Sequence, residues 1–220
     1  MERSFCSPLQ GYQLEQLPSL VSNPFHPPAP GSDDPHQGID LVDRQEGSQV
    51  ALSGRTVTAI LDGQVAAAIN DRFPYGNAIL VESSLNSLPG GWRDELEAAT
   101  PAPTTPPDPA LTCPNVLEAS WDNGKRSLYV LYAHLQAAPM LKPGEAVSCG
   151  QPLGAIGDSG NALNPHLHLE IRLGPAGARF ASLAHYDNSA TLAEMDAYCT
   201  WRVRGLFQLV DPLKLMTSQP

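Results

Sequence analysis

The stretch from Asn164 to Ile171, NPHLHLEI, constrains this chain more than any other, because it sets two histidines one residue apart inside a run that reads as a buried strand. Side chains alternate along a strand, so His166 and His168 point to one face while Leu167 and Leu169 point to the other. One face is left for chemistry and the other belongs to a core. Glu170 follows on the histidine face, where it either orients an imidazole from behind or is a salt-bridged glutamate at a strand end. A second cluster, HQGID from His36 to Asp40, reads as a strand in which His36, Gly38 and Asp40 share a face, the glycine leaving space between two metal-binding side chains. His134 ends a third alternating run, SLYVLYAHL. Imidazole nitrogens with a carboxylate oxygen form the donor set of a catalytic zinc. The residues alone leave open which three of His36, Asp40, His134, His166 and His168 would hold it.

Composition matters where it limits partners. A formal charge of −10 and a pI near 4.9 oppose binding to nucleic acid or to an anionic membrane. No apolar run approaches the length of a transmembrane helix, and residues 1 to 20 lack the apolar centre of a secretory signal. The 22 prolines and 18 glycines, with only 16% charged residues, describe a strand-rich chain with many loops, and 42% hydrophobic residues suffice for one buried core. A mainly β, single-domain protein is expected.

Taken in order, residues 1–35 read as an extended arm, dense in proline, glycine and aspartate around PFHPPAPGSDDP. His26 is read there as an exposed loop histidine, and Asp33 and Asp34 as a solvated turn. Short strands follow in GIDLV, QVAL, TVTAILDGQVAAAI and GNAILVES, with Asp62-Gly63 marking a hairpin. Residues 83–127 break this pattern with a short acidic helix candidate and a proline-threonine run, which predicts a surface loop. Gly154, Gly157 and Gly160 read as turn glycines, since no helix with a Lys-Ser/Thr pair follows them. A helix is expected in SATLAEMDAYC, and His185 is read as a surface or structural residue.

HQGID, LYAHL and PHLHLEI, in this order, resemble the three signature motifs of the lysostaphin-like (LytM-type) zinc metallopeptidases, which cut peptide bonds in bacterial cell walls. Four of the six histidines lie inside these motifs. The resemblance implies a metallopeptidase domain over residues 36–215, built as a compact antiparallel sheet of the duplicated hybrid motif type, with a groove and with residues 83–127 as a long hairpin insertion. It implies His36, Asp40 and His168 as ligands of Zn2+, and His134 and His166 as catalytic histidines that do not bind the metal. Since HExxH is absent, His166 is expected as general base and His134 as hydrogen-bond donor to the oxyanion.

The implied function is a zinc-dependent endopeptidase acting on peptidoglycan peptides, monomeric and located outside the cytoplasm, secreted or in the envelope. A zinc hydrolase of a non-wall peptide and a peptidoglycan-binding module without catalysis are the alternatives. In an exported protein four cysteines favour two disulfides, expected as Cys113 with Cys149 and Cys6 with Cys199. Trp92 and Trp121, near the two ends of the insertion, are expected to wall the groove.

Overall fold

A computed structural model describes residues 4–42, 53–99, 104, 106–114 and 121–218 of the chain. In chain order its elements are α1 (Leu17–Leu20), β1 (Val21–Asn23), β2 (Ile39–Leu41), β3 (Thr56–Thr58), β4 (Gly63–Arg72), β5 (Gly76–Ser84), α2 (Gly90–Ala98), β6 (Asp122–Leu135), β7 (Ala146–Val147), β8 (Pro152–Ala155), β9 (Leu167–Ala176), α3 (Leu192–Arg202), β10 (Gln208–Val210) and α4 (Pro212–Thr217). The large sheet runs β1-β2-β9-β6-β5-β4-β7, with β10 added to β9, and every pairing in it is antiparallel. The fold is mainly β, as expected. The strand expected at residues 49–52 lies outside the described residues.

Alternation in β9 gives the sheet two different faces. Leu167, Leu169, Ile171 and Leu173 enter one hydrophobic cluster, covered by Leu9 and Leu17 from the N-terminal segment, Trp92 of α2 and Leu215 of α4. Each such burial is worth roughly 1.5–3 kcal/mol, so β9 is held chiefly by this face. On the opposite face Tyr129 and Leu131 of β6 lie under Phe180, Tyr198, Trp201 and Phe207. The sequence TLAE starts α3: Thr191 accepts from the Glu194 amide while Glu194 bonds back to Thr191, a reciprocal cap.

Four local readings are corrected. Asp62-Gly63 does not turn a hairpin, because β3 pairs with β8 in a separate two-stranded sheet and β4 pairs with β5 and β7. Gly63 is needed instead for close approach: a Cβ there would stand 2.4 Å from the Glu82 carbonyl oxygen. Trp92 is 4% exposed and Trp121 packs edge-on against Phe180 and Phe207, so both indoles serve cores rather than a groove. The bridges are Cys6–Cys149 and Cys113–Cys199. The number of bridges is as expected and the pairing is not. Cys6 and Cys149 meet at the connection between β3 and β4, since the Cys6 amide donates to Ile60 O while that of Gly150 donates to Ala59 O, and Cys199 of α3 is left to Cys113. Finally, Gly154 belongs to a strand, β8, rather than to a turn.

The N-terminal 35 residues carry α1 and β1, and Leu9, Leu17 and Leu20 are buried. The segment is tied further along as well: Tyr186 and Tyr198 both donate to Asp33 Oδ2, at 2.7 and 2.8 Å, and Arg202 donates to the Asp33 carbonyl. Asp33 is thus a hub and not merely a solvated turn. From the insertion, the Asp108 amide donates to Gly31 O at 2.9 Å.

Candidate metal centre

Strand register assembles the site. In the order β2-β9-β6, Asp40 stands opposite His168, and His168 stands opposite Ala133, the residue before His134. His166 is placed by a bridge to Gly157 just before β9 begins. His134 has φ +61°, a left-handed conformation that turns its side chain out of the strand's alternation; its amide donates to Tyr75 O and its carbonyl accepts from Gly157. Gly38 is required, since a Cβ there would come within 2.5 Å of Leu169 O and 2.9 Å of the His168 ring.

His36 Nε2, Asp40 Oδ1 and His168 Nδ1 form a triangle with sides of 2.9, 2.9 and 3.0 Å. Their outer atoms determine the protons. His36 Nδ1 faces Pro24 O at 3.0 Å, so Nδ1 carries the hydrogen and Nε2 is left with a lone pair. His168 Nε2 faces Glu170 Oε2 at 3.4 Å, which leaves Nδ1 as the free donor atom. Asp40 Oδ2 accepts from Asn23 at 3.2 Å. Three electron pairs therefore face one another at short range, an arrangement that a cation relieves, and bonds of roughly 2.0–2.2 Å to nitrogen and oxygen suit a triangle of this size. The donor set fits Zn2+.

Two more imidazoles stand beside it. His134 Nδ1 donates to Ser159 O at 2.7 Å and His166 Nδ1 to Asn164 O at 2.7 Å, so each keeps a lone pair on Nε2. Their ring centroids are 4.7 Å apart, and His166 Nε2 lies 3.5 Å from Asp40 Oδ1. His134 is 6% exposed; burial, aided by His168 and His166, pushes its imidazole down to about 3 despite the bond to Ser159. Burial alone would raise the Asp40 carboxyl, but hydrogen bonds with His168 and His36 hold it well below the usual carboxylate range.

Behind His168 lies a largely buried ion cluster. Glu170, 0% exposed, receives Arg172 Nε at 2.5 Å, Tyr75 OH at 3.1 Å and Arg202 at 3.4 Å. Arg172 also donates to Gln37 and to Phe207 O, and its guanidinium lies 5.0 Å from the Trp201 ring centre. Burial opposes ionisation of Glu170, yet Arg172, His168 and Arg202 hold its carboxyl well below the ordinary range. Burial and the Glu170 charge push the Tyr75 phenol up to about 12, so it remains a donor.

All five residues singled out in the sequence, with Glu170, are thus brought together. His26 is exposed, and its amide donates to the His36 carbonyl at 2.8 Å. His185 is not a surface residue: it is 1% exposed and lies with Cys113 and Cys199. Sequence reasoning missed Tyr75, Arg172 and Arg202. Arg172 had a signal, since it continues the two-residue period of His168 and Glu170 with a charge that a buried strand would otherwise exclude. Arg202 had none, because only the docking of α3 brings it near.

Comparison with known proteins adds a family. Peptidase family M23 matches residues 116–179, under a third of the chain, a span that contains His134, His166, His168 and Glu170. The fold is similar to the catalytic domain of the antimicrobial peptidase lysostaphin from Staphylococcus simulans, with 17% identity, 94% of this chain and 99% of that chain covered, and a TM-score of 0.47. It is also similar to the catalytic domain of a variant of the prophage-encoded M23 protein EnpA from Enterococcus faecalis, at 18% identity over 73% of this chain and 85% of that one, TM-score 0.41. A zinc-containing peptidase from Vibrio cholerae matches at 21% identity over 78% of this chain, which spans 37% of that chain's length, TM-score 0.40. With three of the five site residues inside the matched span, the LytM-type resemblance of the motifs is supported by the match of residues 116–179 to peptidase family M23.

Proposed function

We propose that this protein is a zinc-dependent endopeptidase that hydrolyses peptide bonds of bacterial peptidoglycan outside the cytoplasm. The observation that carries the reading is the convergence of three donor atoms, each oriented by its own outer partner, beside two further imidazoles whose lone pairs face the same space. The M23 match supports a peptidase, the family resemblance supports the wall substrate, and two disulfides suit an oxidising location.

His36, Asp40 and His168 hold the metal. A Zn2+ held there would lower the pKa of the attacking water and polarise the scissile carbonyl. The carbonyl of Pro24 and the carboxylate of Glu170 keep the two imidazoles in the right tautomer. His166 takes the proton of the attacking water, because a positive charge formed on it is met by Asp40 Oδ1 at 3.5 Å. His134 stays neutral and, with its hydrogen held by Ser159, accepts a hydrogen bond from that water and orients it. The role of oxyanion donor, expected for His134 from sequence, is left to groups that carry a proton on the substrate side. His166, once charged, returns its proton to the leaving amine.

Digestion of purified walls of several chemotypes, with mass-spectrometric identification of the new amino terminus, tests the reading. A new terminus that appears with the native chain and disappears on chelation is the expected result. Cleavage of unrelated peptides with walls left intact would redirect the proposal to a non-wall substrate.

A further inference from the structure

A second set of metal-binding side chains lies away from the proposed centre. Cys113 Sγ, Cys199 Sγ and a ring nitrogen of His185 lie within 4.8 Å of one another. His185 is 1% exposed, and neither ring nitrogen has a hydrogen-bond partner among the described residues. Its ring is fixed instead by packing, edge-on to Tyr186 at 4.2 Å and tilted against Tyr198 at 5.1 Å, while its amide donates to Phe73 O at 3.0 Å. A buried imidazole without an oxygen partner, aimed among two sulfurs, resembles a ligand more than a packing residue, since a residue kept only for packing has no need of ring nitrogens.

We propose that the Cys113–Cys199 bridge closes a Cys2His metal site, and that reduction by a dithiol opens it to a thiophilic divalent cation such as zinc. In the reduction the S–S bond breaks, the dithiol gives two electrons and two protons to the two cysteines, and its own sulfurs close into a disulfide. Each thiol then releases its proton to solvent as its thiolate takes the metal, and neutral His185 donates a ring lone pair. The Cα atoms of Cys113 and Cys199 are 5.9 Å apart, so both sulfurs reach one ion at roughly 2.3 Å each by side-chain rotation. Two thiolates cancel the charge of the cation. Cys113 and Cys199 share a hydrophobic cluster with Phe180, Leu183 and Trp201, and the nearby charges of Arg204 and Asp196 offset each other, so a neutral site suits the place better than a charged one. The metal would replace the covalent tie between the insertion and α3, so that the same two elements stay joined in either redox state.

The test is a Co2+ titration of the full chain before and after treatment with a dithiol, which is then removed without air. Thiolate-to-cobalt charge-transfer absorption in the near ultraviolet reports sulfur ligands alone and is silent on His36, Asp40 and His168. The band is expected in the reduced chain and not in the oxidised one, to persist in the Cys6→Ser/Cys149→Ser variant, and to need roughly tenfold or more Co2+ in His185→Ala. If the double variant does not fold, the His185→Ala comparison decides. A reduced chain with native circular dichroism and no band overturns the proposal. So do an unchanged titration in His185→Ala and a loss of the native fold on reduction.

Discussion

The two triads, His36/Asp40/His168 and Cys113/His185/Cys199, differ less in size than in what stands behind them. In the first, each imidazole gives its outer N–H to an oxygen, Pro24 O or Glu170 Oε2, and the second carboxylate oxygen of Asp40 takes Asn23. In the second, the His185 ring packs on Tyr186 and Tyr198, its nitrogens have no hydrogen-bond partner among the described residues, and the sulfurs are bonded to each other. Proximity of donors is therefore shared by both, whereas orientation through hydrogen bonds belongs to the first. In the readings proposed above, the first holds a cation at rest and the second only after a chemical change.

Mutation at His168 is expected to have the largest effect. His168→Ala should abolish zinc binding and hydrolysis together, because one of three protein ligands is lost. Elemental analysis showing full zinc in that variant would overturn the donor assignment. His134→Ala and His166→Ala should retain zinc and lower kcat by roughly 10²–10⁴-fold, as for groups that act on the water. Loss of metal from either would move that residue into the donor set.

Glu170→Gln tests the hydrogen bonding behind the ligands directly. It should weaken zinc binding by roughly 10–100-fold in chelator competition. In denaturant unfolding it should cost about 3–5 kcal/mol, since Arg172 and Arg202 are left without their carboxylate. The pH dependence has a definite sign. The Glu170 carboxyl is depressed in the folded chain, so the stability it contributes is complete above its unfolded value of about 4.3 and is lost as pH falls toward the folded one. The native chain should therefore lose stability on acidification below that value more steeply than Glu170→Gln, and parallel curves would mean that the cluster is not coupled to folding. The smallest effect is expected at Trp121→Ala, which should lower stability yet leave the ranking of kcat/KM across wall types unchanged, because the indole packs on Phe180 and Phe207.

The site residues were legible in the sequence where chemistry and period coincide. HLHLE brings three polar groups to one side, His168 and Glu170 from β9 and His166 from just before it, and HQGID places two donors around a glycine, although β2 begins only at Ile39 and not at His36 as the strand reading expected. What makes these segments neighbours was not legible: Asp40 and His168 are 128 positions apart, and a strand's pattern states its faces but not its partner. Cysteine pairing failed for the same reason, since it depends on which elements dock and not on spacing. The break in the strand pattern was read too wide, since β5 runs to Ser84 and β6 starts at Asp122, and the fate of its tryptophans was not legible, because an aromatic residue in a loop reads equally as a contact for ligand or as an anchor into a core.

One consequence of the sheet order concerns time rather than space. β9 follows the other long strands, β4, β5 and β6, among the described residues, yet it lies inside the sheet and pairs with β2, β6 and β10. His36 meets His168 across 132 residues, so this centre closes only through a contact of high sequence separation, the kind that forms slowly. A nascent chain that ends before β9 has Asp40 and His134 but no strand to set between them. In the reading proposed here, hydrolysis therefore waits for β9 to pair between β2 and β6.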